Sequence, residues 1–457
     1  MSGVHEADVV ILGGGSGGYA AAIRASELGK SVILIEKDLL GGTCLHRGCV
    51  PTKALLHSAE IADHVREAAS VGVDAHLTGI DPARVAAYRE KIVAKKYSGL
   101  QSLISSRGIR VVSGAGRLTA DRTVTVGDDV YRGADVILAT GAQTRTLPGV
   151  ELGGRVLTSD TALTLDVIPE SVVILGGGVI GVEFASVWRS FGVEVTIVEA
   201  LDHLLPAEDL SSSKALERAY RRRGIQSRLA TRCEGVTQTD AGVSVALSDG
   251  TSIDADFVLV AVGRGPVTHG LGFEDAGVAL DRGFVTVDDR LQTSAAHVWA
   301  VGDIVPGLQL AHRSFQQGIF VAEQIAGLRP VAIVESTIPR VSYSHPEVAS
   351  VGLTEAQARA VHGDDVAVYE YNLAGNAKSE IIGTGGLAKV VRIVSGPVIG
   401  VHLVGDRVGE LITEGQLAVG WEAHPEDIAP LIHAHPTQSE ALGEAFLALA
   451  GKPLHTI

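Results

Sequence analysis

One thirty-residue stretch occurs twice in this chain. "DVVILGGGSGGYAAAIRASELGKSVILIEK" (Asp8–Lys37) and "SVVILGGGVIGVEFASVWRSFGVEVTIVEA" (Ser171–Ala200) align without a gap at an offset of 163. Each reads as an apolar strand, a glycine turn, a helix and a second apolar strand that ends in Glu36 or Glu199. Units of this kind build a parallel sheet covered by helices. In the first copy Gly13, Gly15 and Gly18 form G-x-G-x-x-G after the strand. The first glycine permits the tight turn, the second lets backbone approach a pyrophosphate, and the third lets helix and sheet pack closely. The anion then faces the positive end of the helix dipole. Glu36 lies 18 residues past Gly18, where a carboxylate accepts from ribose hydroxyls. Gly176, Gly178, Gly181 and Glu199 repeat the pattern with the same spacing. Two such sites in one chain point to two cofactors that exchange electrons, a flavin and a nicotinamide. A carboxylate at position 199 repels a 2′-phosphate, so the nicotinamide is expected to be NAD rather than NADP.

The remaining composition narrows the class. The 457 residues suggest about three domains at roughly 150 residues each. Lysine and arginine number 38 against 53 acids, so the net charge is 38 − 53 = −15. Phosphate repulsion then excludes a nucleic-acid partner, while a cationic protein surface is attracted. No leading basic and apolar targeting pattern is present, and no apolar run approaches the ~18 residues that cross a bilayer. We therefore expect a soluble, cytoplasmic protein in a reducing compartment, with no membrane partner.

Only three cysteines occur, too few for a structural disulfide framework, yet Cys44 and Cys49 share the segment "GGTCLHRGCVPTK" (Gly41–Lys53). Five residues of regular helix rise about 7.5 Å, beyond the ~7 Å between Cα atoms that a disulfide tolerates. A bridge here requires a distorted turn, which Gly48 and Pro51 permit or mark. Such a pair is expected to be an accessible, reversible dithiol, with a thiol pKa lowered near a helix N-terminus. Inert thiols or half a zinc site are the alternatives. Zinc lacks a recognisable second pair of ligands, and no metal is expected. Cys233 reads as a small buried thiol without chemistry.

Taken with "ATG", "VGD" and a C-terminal "HAHPTQSE", this loop and the two fingerprints resemble the pyridine nucleotide–disulfide oxidoreductases. Within them the pattern is most similar to the dihydrolipoamide dehydrogenase branch, from about Asp8 to Glu444. The fold class implied is α/β, with two Rossmann-like dinucleotide-binding domains and a C-terminal α+β dimerisation domain. The expected boundaries are 1–145 (FAD), 146–265 (NAD), 266–336 (a central domain completing the FAD site) and 337–457 (interface).

The resemblance implies specific roles. FAD is tightly bound by Gly13, Gly15, Gly18, Glu36, Thr43, Lys53, Gly114, Thr140, Gly141, Asp303, Ala311 and His312. NAD⁺/NADH is bound by Gly176, Gly178, Val179, Ile180, Gly181, Glu199 and Gly263, with Glu183 close to Lys53 and the nicotinamide. Cys44 and Cys49 are the redox pair. His435 is the base and Glu440 orients it, and this segment reaches the cysteine loop of the other subunit in a homodimer with shared active sites. His433 is expected to be a surface or capping residue. The implied partner is the lipoyl domain of an acyltransferase in a 2-oxoacid dehydrogenase complex, or the glycine-cleavage carrier protein. A reductase of another small disulfide and a non-catalytic flavoprotein docking subunit are the competing readings. His46 and Arg47 depart from the common family wording. Their charge leads us to expect lowered thiol pKa values and a raised reduction potential.

Overall fold

The computed structural model describes residues 3–455. They form two compact units, one from residues 3–54, 83–145 and 264–333 and the other from 55–82, 146–263 and 334–455.

In the first unit, strand Val4–Leu12 pairs in parallel with Val32–Glu36 on one side and Asp129–Leu138 on the other. Arg110–Ser113 and Val298–Ala300 extend the parallel sheet, and Arg117–Leu118 and Val124–Val126 close one edge antiparallel. Strands read as continuous apolar runs because both faces are covered. Val9, Ile11, Leu34 and Ile137 enter one core with Ala21, Ala22 and Phe320 from helices Ser16–Glu27 and Ala311–Ile325. Their neighbours Val10, Leu12, Ile33 and Leu138 enter the opposite core with Leu118, Phe273 and Val285. The repeat thus supplies side chains to two cores at a period of two.

The second unit holds the second copy. Ser171–Leu175 pairs in parallel with Glu194–Val198 and Phe257–Val260, in a five-stranded sheet. The turns superpose in detail. Gly13 and Gly176 both have φ near 109°, and a Cβ on either meets a backbone carbonyl oxygen, at 2.2 Å (Ala139) and 2.5 Å (Ala261). Only glycine fits there.

From residue 340 a five-stranded antiparallel sheet takes over, in the order Arg340–Ser342, Glu347–Gly352, Val398–Gly405, Leu387–Ile393, Val366–Asn372. Helices Val408–Gly420 and Glu440–Leu449 cover its apolar face. Arg340, Ser350, His402 and Lys389 oppose one another in turn across four strands. Lys389, 4% exposed, reaches Asp209 at 2.7 Å and Glu355 at 2.8 Å. Burial pushes the Asp209 carboxyl up, but Lys389 and the Glu355 N–H outweigh it and hold the carboxyl below its ordinary value. Nearby in the chain, Glu347 accepts from the Gly409 N–H at 2.9 Å. Burial first, then Asp406 and Glu410, push its carboxyl up to about 7.

Lys389→Met leaves a buried carboxylate without its cation and is expected to cost about 3–5 kcal/mol, read from the denaturant midpoint. Adding Asp209→Asn recovers part of that loss. Glu347 behaves oppositely to a salt-bridged acid. The folded state binds its proton more tightly than the unfolded chain does, so stability falls as pH rises from about 4.5 to 7. Glu347→Gln is therefore expected to melt higher than the parent at pH 8, with the gap closing toward pH 5.

Candidate active site

Strand Val4–Leu12 delivers the chain to Gly13–Gly15, and Gly15 caps helix Ser16–Glu27 in extended geometry. Gly178 caps Val179–Ser190 in the same way, with Val179 and Ile180 in the first turn. A Cβ on Gly178 meets nothing within 4 Å, and one on Gly15 comes no nearer than 4.0 Å to Gly42. The space ahead of each helix N-terminus is thus open, lined by backbone N–H groups and suited to a pyrophosphate. A Cβ on Gly18 or Gly181 instead strikes the carbonyl oxygen of Gly13 or Gly176, at 1.8 Å and 2.0 Å.

Each fingerprint acid is fixed by backbone. Glu36 accepts from the N–H of Gly14 (2.6 Å) and of Asp38 (2.8 Å). Glu199 accepts from Gly177 (2.6 Å) and Leu201 (2.8 Å). Each carboxylate oxygen keeps acceptor capacity for a ribose hydroxyl. The middle glycines, Gly14 and Gly177, were missed by the fingerprint. Their signal was present in the sequence, since "GGG" stands in both copies.

Further residues gather around the first turn's sheet. Gly114 donates to the Glu36 carbonyl at 2.9 Å. Thr140 donates to the Val267 carbonyl at 2.5 Å, and Gly141 accepts from the Val267 N–H. Asp303 lies in the short helix Gly302–Ile304, ahead of Ala311 and His312, which open helix Ala311–Ile325. Burial raises the Asp303 carboxyl, and Arg264 and Arg313 pull against that rise. Neither arginine carried a motif signal. In the second unit Glu183, 3% exposed, accepts from the Tyr343 N–H at 3.0 Å, while Gly263 follows strand Phe257–Val260.

The cysteine segment begins against the first turn. Gly41 donates to the Gly14 carbonyl at 2.8 Å, and helix Gly42–Arg47 starts there with Thr43 exposed in its first turn. Gly48 breaks the helix at φ −140°, ψ −117°, and a new helix, Cys49–Glu67, begins at once. A Cβ on Gly48 comes within 3.3 Å of the Cys44 Cα, so the break folds Cys49 back toward Cys44. Cys44 and Cys49 stand here as thiols. Cys49 is the more exposed, and Lys53 follows one turn along its helix. A hydrogen bond with Cys49, then burial, then the charge of Cys49 push the Cys44 thiol up, against the pull of the Lys53 ammonium.

The thiol expected to have a lowered pKa near a helix N-terminus is therefore not Cys44. His46 and Arg47 each have a partner of their own in this segment. Arg47 forms an ion pair with Asp38. The Nε2 of His46 bonds the Leu40 carbonyl at 2.8 Å, and its ring meets Tyr97 edge-on. Lys53 is the cation acting on Cys44. Cys233 is half-buried, and burial raises its thiol.

In the second unit His435 and Glu440 meet. Nδ1 of His435 lies 2.9 Å from Glu440 Oε1, and Glu440 Oε2 accepts from the Thr437 N–H at 2.8 Å. Burial raises the Glu440 carboxyl, but these two bonds outweigh it and leave the carboxyl below its ordinary value. His433, expected as a surface or capping residue, has a carboxylate partner. It is half-buried, with Nε2 2.9 Å from Glu414 Oε1. Among the described residues no cluster of three or more potential metal ligands occurs, and no helix is long and apolar enough to cross a membrane.

Known proteins share this arrangement. A family profile described as pyridine nucleotide-disulphide oxidoreductase matches residues 7–318, and the dimerisation domain of the same family matches 338–446. The chain is 40% identical to a dihydrolipoyl dehydrogenase of Bacillus subtilis, covering 98% of this chain and 99% of the relative. It is 38% identical to the mitochondrial dihydrolipoyl dehydrogenase of Pisum sativum, over 99% and 93% respectively. The solved structure of LpdA from Mycobacterium tuberculosis superposes with a TM-score of 0.88 at 29% identity, covering 97% of this chain and 99% of that one. This family and its dihydrolipoyl dehydrogenase members use FAD and NAD(H). With both family regions in place and near-complete coverage of its relatives, the chain belongs to the pyridine nucleotide-disulphide oxidoreductases.

Proposed function

We propose that the protein is a homodimeric dihydrolipoyl dehydrogenase, carrying electrons from dihydrolipoyl groups through Cys44 and Cys49 to FAD and then to NAD⁺. The observation that carries this reading is the hydrogen-bonded thiol pair folded together across Gly48, one helical turn from Lys53. Bound FAD and NAD⁺ supply the electron-pair acceptor and the final hydride acceptor. The cradles fit them. Gly13, Gly15, Gly18 and Glu36 hold FAD, with Thr43, Gly114, Thr140, Gly141, Asp303, Ala311 and His312 along its length. Gly176, Gly178, Val179, Ile180, Gly181, Glu199 and Gly263 hold NAD⁺, and Glu183 and Lys53 serve the nicotinamide and flavin ends.

The chain's own steps follow from the geometry. With Nδ1–H of His435 donating to the Glu440 carboxylate, Nε2 is left as the base. It accepts a proton from a dihydrolipoyl thiol bound at the partner's cysteine pair. The resulting thiolate attacks Cys44 of the Cys44–Cys49 disulfide, forming a mixed disulfide and expelling Cys49 as a thiolate. The second lipoyl thiol then closes the dithiolane ring, its proton passing to the departing Cys44 sulfur while His435 keeps the first. Two electrons now reside on the cysteine pair. The hydrogen bond and burial that push the Cys44 thiol up suit Cys44 as the protonated sulfur of the reduced pair. The buried carboxylate of Glu199 disfavours a 2′-phosphate and supports NAD over NADP. The net charge of −15 suits a cationic face on the lipoyl-bearing acyltransferase or carrier protein, encountered in the cytoplasm.

The test is the initial rate of NAD⁺ reduction by dihydrolipoamide, run beside glutathione-disulfide reduction by NADPH. A fast lipoamide reaction lost in Cys44→Ser, and slowed about 10²- to 10⁴-fold in His435→Gln, is the expected result. A faster glutathione reaction overturns the substrate assignment. Full lipoamide activity in Cys44→Ser overturns the relay.

A further inference from the structure

The "HAHPTQSE" segment carries two histidine–carboxylate pairs, and only one is taken up by the chemistry above. Residues 431–437 contain neither helix nor strand, running from helix Pro425–Ile428 to helix Glu440–Leu449. A base carried on irregular backbone needs anchors on both sides. After His435 they are plain: Thr437 donates to the Ala434 carbonyl at 2.6 Å, and its own carbonyl accepts from Asn376 at 2.9 Å. Before His435 the neighbours Leu431 and Ile432 are exposed, at 63% and 98%. His433 is the inward-turned residue there. Its side chain is 16% exposed, against 73% for His435.

The ring of His433 is gripped from two helices. Glu414, on helix Val408–Gly420, receives its Nε2 at 2.9 Å. On the other side lies Gly443 of helix Glu440–Leu449, where a Cβ falls 2.7 Å from the His433 Nδ1. The glycine is what admits the ring. Glu440, which opens the same helix, orients His435. Glu414 favours the charged imidazole first, with the Leu431 backbone and Glu440 adding to it. The charge on His433 in turn helps to keep Glu440 ionised. One carboxylate therefore answers to both rings.

We infer that His433, clamped between Glu414 and Gly443, is a positioning residue for the dithiol-oxidising step, setting the placement of His435 against Glu440. The inference rests on the reading of His435 as the base. Its effect is confined to the half-reaction in which a lipoyl thiol gives up a proton; electron entry from NADH does not use it.

Rapid-mixing absorbance on the FAD-loaded dimer separates the two halves. Flavin reduction by dihydrolipoamide is expected to slow about tenfold in His433→Ala and in Gly443→Ala, as misplacement of a catalytic group does. Reduction by NADH keeps its rate in both. His433→Gln retains a donor toward Glu414 and is expected to recover most of the loss. An unchanged dihydrolipoamide rate in His433→Ala beside a slow His435→Gln overturns the positioning role alone. A fast His435→Gln overturns the base reading and this role with it. Equal slowing of both halves in His433→Ala, or loss of the dimer on sizing, makes the residue structural and also overturns the proposal.

Discussion

A carboxylate bonded to backbone organises each of the two glycine turns. Glu36 and Glu199 end the second strand of their units and reach back to the N–H of Gly14 and Gly177, at 2.6 Å in both cases. Charge-assisted bonds of this kind are short and roughly twice as strong as neutral ones. They fix the turn against the strand, so the helix N-terminus and the ribose acceptor keep one geometry. A Cβ on either middle glycine also meets a leucine, Leu40 at 2.8 Å or Leu204 at 2.5 Å. The turn is therefore held from above by the loop that leaves the acid. In the first unit that loop leads directly to the cysteines.

The dithiol depends on a helix that stops and restarts. Continuous helix from Gly42 to Glu67 sets Cys44 and Cys49 too far apart along the axis to react with each other. Gly48 ends the first helix, and its carbonyl accepts both the N–H and the hydroxyl of Thr52, at 3.1 Å and 2.7 Å. Cys49 thus stands at a helix N-terminus, where a thiolate is favoured, while Cys44 lies half-buried and donates toward it. The asymmetry comes first from the hydrogen bond between the thiols, then from burial of Cys44 and the charge of Cys49, with the Lys53 ammonium pulling the other way. Arg47, two residues from Cys49, pairs with Asp38.

Most of the fold was legible because it is encoded locally. The apolar runs, the glycine spacing and the terminal acids lie within thirty residues, and the sequence repeats them. The Gly48 break was legible too, since a five-residue cysteine spacing requires one. What escaped depends on residues distant in the chain. The pairing of Lys389 with Asp209 spans 180 positions, and Arg264 and Arg313 beside Asp303 lie on separate segments. His433 escaped for a different reason. Its partner Glu414 is only 19 residues away, but the pairing exists because two helices converge and Gly443 leaves room between them. Pattern and propensity carry no trace of that.

The two copies also locate where one chain acquired two chemistries. They remain equivalent past the acids: Asp38 and Leu201 donate to Glu36 and Glu199 at 2.8 Å, and Gly41 and Leu205 donate to the Gly14 and Gly177 carbonyls at 2.8 and 2.9 Å. Gly41 and Leu205 both take left-handed backbone, at φ 100° and 51°. The next residue separates them. Gly42 lies so close to Gly15 that a Cβ on it reaches the Gly15 Cα at 2.7 Å, whereas Pro206 follows Leu205. Contact at Gly42 seats the start of the cysteine helix directly on the first glycine turn; Pro206 carries a Cβ that such a close approach does not admit, and no helix starts there in the second unit. The same scaffold therefore occurs twice, once with the cysteine segment attached and once without it. The difference begins at a single glycine.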